Sequence, residues 1–427
     1  MGKQIQCHRE NALIPAPWRL AEPCCPENEL PGWCMPGFLA ADAFTPAGSR
    51  YTALRATKLV FVYLVQILSG FATRTLPLHD RQGFAIIQPM TANMHFRTAP
   101  PDPDDPLYRL WSSAATNTNQ ADPFCSSPAW QLSFHAAFAP ERRLFVETSA
   151  QSLVAFAETA ISPDNIYLTP IEPHWFFACP LLGKEAVSLL ARASVFFAGA
   201  YRPYFPKIII SGIRPGGVLA RRLIRDFADD FALYLHSVGI QSAASLHGGV
   251  DGYLSRRSGG HRSKLKKAAR RASEQGVSFE RVIPASAEEA AAAYARMLAV
   301  EKRSWKGLGR CGMAEPPARL FYEILLQKLA GQKAARIIFA GHEGEDIGFI
   351  FGGKAGNIYR GQQFSFSAQW GEYSIGNLMQ MEQIRWLCEE GAKRYDMGPL
   401  DGPRMEYKNH WTEKAMEIQT WVLVPKG

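Results

Sequence analysis

The turn Tyr373-Ser374-Ile375-Gly376-Asn377 carries residues suited to binding an anion. Ser374 is a natural N-cap, and from Ile375 the apolar positions Leu378, Met379, Met381, Ile384, Trp386 and Leu387 fall near helical spacing. A helix start has free N–H groups and the positive end of the dipole, which suits a phosphate. Gly376 lets such a group approach the backbone. Gly212–Gly217 makes a similar turn between the apolar run Lys207–Ser211 and a helically spaced stretch, Val218–Leu235. Ser304-Trp305-Lys306-Gly307 opens a loop with Gly309 and Gly312, flanked by two helical patterns. A Gly-rich loop bearing Trp305 and Lys306 suits the wall of an acceptor site, although Trp305 is equally accounted for as a core anchor. Between Arg256 and Arg271 stand eight Lys/Arg and no acid, the pattern of a phosphate-contacting or simply solvated helix face. The helix expected there, Ser263–Gln275, has no aromatic residue for stacking on single strands. No Ser-His-Asp order, zinc spacing or Walker sequence occurs, which argues against hydrolase and nucleotide-triphosphatase chemistry.

The elements that would position these groups alternate in period. Arg336–Gly341, Ile347–Gly352 and Asn357–Phe366 read as three antiparallel strands joined by Gly-bearing turns. The helix from Ser374 stops at Gly391, and Arg394–Met397 is a short strand after it. Upstream, Arg143–Glu147, Ser152–Glu158 and Asn165–Leu168 read as strands, and Lys184–Phe197, Glu288–Ser304 and Ala318–Ala330 as helices.

At 427 residues the chain is long enough for two or three domains, and 47% hydrophobic content supports full-sized cores. The net charge of +8 favours anionic partners: a phosphate-rich cofactor, nucleic acid or a membrane surface. The eight cysteines form no C-x-x-C pair and read as free thiols of a reducing compartment. No apolar run reaches the ~18 residues of a membrane-spanning helix, so a cytoplasmic protein without a span is expected. Residues 1–93 are Pro-, Cys- and Gly-rich at their start and read as a poorly ordered or mis-annotated extension. Residues 94–121, with the run Thr98–Pro106, are expected to be a linker.

The order of hairpin, third strand, anion-ready turn, helix and strand resembles the acyltransferase core of the GNAT superfamily. Ser304-Trp305-Lys306-Gly307, Tyr373-Ser374-Ile375-Gly376, Tyr395-Asp396-Met397-Gly398, and Tyr407-Lys408 with Trp411 carry a likeness to the CelD-like acetyltransferase domain and FemAB-like peptidyltransferases. The resemblance spans roughly residues 122–424. It implies an α/β fold: a GNAT-like mixed sheet flanked by helices, in an N-terminal half, 122–250, and a catalytic half, 251–427. The Gly212–Gly217 unit then reads as the counterpart turn of a degenerate first half.

The resemblance further implies transfer of an acyl group from a thioester, acyl-CoA, to an amine on a small or cell-envelope molecule, with no metal. Gln362–Phe366, Gln363 and Phe364 among them, would lie along the donor's pantetheine, and Tyr373–Asn377, with Ser374, Ile375, Gly376 and Asn377, at its pyrophosphate. The family's Arg/Gln-x-x-Gly-x-Gly/Ala signature is missing from this turn, which keeps aminoacyl-tRNA and carrier-protein donors open. Glu301, Asp396 and His410 are candidate bases, and Lys408 a contact to the donor or the developing oxyanion. Trp305, Lys306, Tyr359, Arg360 and Tyr407 are expected to touch substrate. A contrasting expectation is an inactive GNAT fold that binds RNA or a protein partner through the basic helix.

Overall fold

The computed structural model describes residues 94–120, 122–400 and 403–426. The extension expected over 1–93 lies outside the described residues. The described chain opens with β1 (Phe96–Arg97), α1 (Pro106–Asn117) and α2 (Pro128–Phe138). Then come β2 (Leu144–Ser149), β3 (Ser152–Ser162), β4 (Asn165–Thr169), β5 (Leu181–Leu182), α3 (Ala186–Ala200), β6 (Lys207–Ile213), α4 (Val218–Phe227) and β7 (Phe231–Ser245). The second part holds α5 (Gly249–Ser255), α6 (Gly259–Glu274), β8 (Ser278–Val282), α7 (Ala287–Lys302), α8 (Trp305–Leu308) and α9 (Ala318–Gly331). It continues through β9 (Ala335–His342), β10 (Glu345–Ala355), β11 (Ile358–Phe366), α10 (Ile375–Glu389), β12 (Arg394–Pro399) and β13 (Lys414–Pro425).

The two parts repeat one plan. Antiparallel β2-β3-β4 leads through α3 to β6, which pairs parallel with β4. Antiparallel β9-β10-β11 leads through α10 to β12, which pairs parallel with β11. A single sheet joins them in the order β1-β2-β3-β4-β6-β13-β7-β12-β11-β10-β9-β8, with β5 beside β3. The closing strands are exchanged: β7 of the first part pairs with β12 of the second, and β13 lies between β6 and β7. Helix α2 crosses over as well. Its Trp130, Phe134 and Phe138 pack in the core of α7, α9 and β9–β10, with Phe321, Leu325 and Phe349.

Three expectations change. Residues 94–121 are more than a linker, because Pro106–Asn117 forms α1. Asp105 caps it, accepting the Leu107 N–H at 2.8 Å, and Trp111 is buried with its indole N–H on the Ser126 carbonyl at 2.9 Å. The helical reading of Val218–Leu235 holds only to Phe227. Beyond Asp229-Asp230 the run from Phe231 pairs with β13 and β12, and that pairing overrides a local spacing compatible with helix. Ser374 precedes α10 in a left-handed conformation with φ of 58°, and its side chain caps nothing. Among the described residues no helix is long and apolar enough to cross a membrane.

Candidate active site

Parallel pairing of β11 with β12 begins at Ile358 opposite Arg394 and ends at Arg360 opposite Asp396. Both strands continue past that point, and a cleft opens in the fork between Gly361–Phe364 and Met397–Pro399. Its cavity measures about 110 Å³. On β11, Gln362 is the extra residue of a bulge, because Phe351 faces Gln363 while Gly352 faces Gly361. A bulge re-aims side chains and breaks the ladder, which suits the rim of a site. Trp130, Trp175 and Phe177 of the first part close the cleft from one side, and Met405, Tyr407 and Lys408 from another.

Behind the wall lies a cluster of buried charges. Arg360 lines the cleft with its side chain only 4% exposed, and its guanidinium lies over the Phe177 ring. Its Nη1 is 3.4 Å from Asp122 Oδ2 and 3.6 Å from Asp396 Oδ1. Arg394 reaches the other oxygen of Asp396 at 3.2 Å. Burial pushes the Asp396 carboxyl up to about 7, against the opposing pull of Arg360; the charge of Asp122 adds to the rise. Lys408 lines the cleft and donates to the Pro399 carbonyl. Burial, helped by the Arg360 charge, lowers its ammonium to about 7. An amine titrating near neutrality on a cleft wall can take a proton from a nucleophile and return it to a leaving group.

The cleft gathers Lys306, Arg360, Gln363, Phe364, Tyr407 and Lys408 on its walls. Asp396 is fully buried behind Arg360 and does not reach the cleft surface. Lys306 is held, donating to Gln363 Oε1 at 2.8 Å and the Phe364 carbonyl at 2.9 Å. Glu301 lies apart from the cleft walls. One oxygen accepts the Met313 N–H at 2.8 Å and the other the Ser365 hydroxyl, so it anchors the 309–313 loop to β11. His410 is exposed and stacks near His261, 6.3 Å between ring centres, so it is no base for this cleft. Tyr359 points away from the cleft. It packs edge-on to Tyr395 at 4.9 Å, and its hydroxyl donates to Gln383. Trp305 is half-buried outside the cleft walls.

Ser374, Ile375, Gly376 and Asn377 open α10 but do not line the cleft. The space a side chain would need at Gly376 is filled by Phe364 and Phe366, each 3.1 Å from an ideal Cβ, so packing alone accounts for this glycine. Sequence reasoning missed Asp122, Trp175 and Phe177. Asp122 lies 238 positions before Arg360, and the exchange of elements between the two parts brings them together.

Residues 259–409 match the model of the acetyltransferase (GNAT) domain family. Among solved structures, FemX matches with a TM-score of 0.53 at 12% identity, over 73% of this chain and 95% of its own. A conserved protein of unknown function from Bacteroides thetaiotaomicron matches with a TM-score of 0.53 at 10% identity, over 78% of this chain and all of its own. At these identities the likeness concerns the fold. No curated protein sequence matches the chain. The fold is thus the GNAT-like mixed sheet flanked by helices, present in two halves.

Proposed function

We propose that the protein, whose residues 259–409 match the acetyltransferase (GNAT) domain model, transfers an acyl group from a thioester donor, acyl-CoA, to an amine acceptor in the β11/β12 fork. The observation that carries this reading is Lys408, an amine lowered to about 7 on the wall of that fork. In the proposed reaction, neutral Lys408 accepts the proton that the attacking ammonium must shed, and its protonated form then faces the thiolate that leaves. Arg360 supplies a fixed positive charge near the developing oxyanion. The edge of β11 at Gly361–Phe364, unpaired on the β12 side, suits an extended pantetheine arm. The aromatic walls Trp130, Trp175 and Phe177 exclude water.

A second donor, aminoacyl-tRNA, is favoured by two observations. Helix α6 exposes Arg262, Lys264, Lys266 and Lys267, and the α10 turn expected to take a pyrophosphate is packed by Phe364 and Phe366. Thermal stability with acetyl-CoA, longer acyl-CoAs, free CoA and charged tRNA separates the two. A ligand at 100 times its Kd stabilises the native state by about 2.7 kcal/mol, a readable shift. A saturable rise with CoA thioesters supports the first donor. A rise with charged tRNA alone replaces it with the second, and no rise with either sinks both.

A further inference from the structure

The first half contributes a carboxylate to the second half's site. Asp122, in the turn before α2, is 1% exposed. Its Oδ1 accepts the Cys125 N–H at 2.8 Å, and its Oδ2 accepts the Gln241 amide at 2.8 Å. Gln241 lies on β7, the strand exchanged into the second half, and pairs with Pro399 at the end of β12. Asp122 is therefore held from two directions, and its Oδ2 faces the same Nη1 of Arg360 that faces Asp396. Among the described residues, Arg360 Nε and Nη1 and Asp396 Oδ1 are buried without hydrogen-bond partners. A long side chain so placed takes its direction from the two carboxylates and the Phe177 ring.

We propose that Asp122 is a positioning residue for the reaction: it holds Arg360 on the cleft wall and shares that guanidinium with Asp396. The first half is then a working part of the site rather than a spent copy of the second. Among the described residues, the charged groups around Asp396 are Arg360 on β11, Arg394 on β12, Asp122 before α2, Arg214 after β6 and Lys408 after β12. Cys125 lies close enough to Asp122, Arg360 and Glu172 to feel their charges. Removing the Asp122 charge takes away a repulsion on Asp396 and frees Arg360 to turn fully towards it. Both effects favour the ionised Asp396.

Titrating the protonated-carboxyl band by difference infrared spectroscopy tests this without any substrate. The inference rests on the proposed site only in treating the fork as the reaction cleft, so a protein that transfers no acyl group can still pass or fail it. Wild type is expected to show a band titrating near pH 7 that Asp396→Asn removes. In Asp122→Asn that band should titrate roughly one pH unit lower, the scale expected when one close charge is changed. Asp122→Glu should keep it near the wild-type position. An Asp122 uncoupled from the Arg360–Asp396 pair would lower stability and leave the band in place, and that result overturns the proposal, as does a wild type with no such band. Should Asp122→Asn fail to fold, Gln241→Leu, which removes the 2.8 Å hydrogen bond to Asp122, is measured instead. A smaller shift in the same direction supports the proposal and an unmoved band overturns it.

Discussion

Replacing Glu301 by Gln separates an anchor from a base. Glu301 is fully buried, with one oxygen on the Met313 N–H at 2.8 Å and the other on the Ser365 hydroxyl. The backbone of Gly312 passes so near that an ideal Cβ there would be 2.0 Å from Oε1. A glutamine of the same shape keeps its carbonyl on Met313 and turns its amide towards Ser365, losing the charge assistance of both bonds. Hydrogen bonds to a charged group are worth about 1.5–3 kcal/mol, so a loss of roughly 1.5–3 kcal/mol is expected. At about 2 °C per kcal/mol for a chain of this size, the melting temperature should fall by roughly 3–6 °C. Turnover per folded molecule should change less than about threefold, because Glu301 does not line the cleft. The assay pairs a thermal melt with thiol release from the donor that stabilises the protein. An unchanged melt with turnover down a hundredfold would refute the anchoring role and restore Glu301 as a base.

Further outcomes follow from the same geometry. Gly398 has a φ of +79°, and an ideal Cβ there would be 2.9 Å from Arg360 Nη2. Gly398→Ala should therefore destabilise by about 1–3 kcal/mol in denaturant melts and displace Arg360. Lys408, lowered to about 7 in the fold, binds fewer protons there than in the unfolded chain between about pH 7 and 10.4. Its contribution to stability thus rises with pH across that window, and Lys408→Met should flatten the slope in pH-dependent melts. Asp396 has the opposite sign. Raised to about 7, it adds stability that is fully present below about pH 4 and lost as pH climbs to 7, so Asp396→Asn should remove that decline. Lys266→Glu with Lys267→Glu, both exposed on α6, should move stability by less than about 0.5 kcal/mol, yet weaken tRNA retention if tRNA is the donor.

Much of the second half was legible because its signals are local. The strands Arg336–Gly341, Ile347–Gly352 and Asn357–Phe366 alternate or run apolar, and the helix after Ser374 keeps a 3.6-residue period to its stop at Gly391. The first half read less well at β7, where fifteen residues take their conformation from partners far along the chain. The site divides in the same way. Arg360 and Gln363 stood out as polar residues on the central strand, and Lys408 and Phe364 through the family resemblance. Glu301 and His410 are of the right type but face elsewhere: a lone residue type does not record which side of an element it takes. Asp122 carried no signal, since its role depends on a contact made across 238 residues of chain.

Thiol release at saturating donor, compared between wild type and Lys408→Met, tests the central claim most directly. General acid–base catalysis by one positioned side chain is worth about 10²–10⁴ in rate. The account predicts a loss in that range with donor binding and folding kept. Equal turnover in the two proteins would contradict it, and so would a wild type that releases no thiol from any donor that binds.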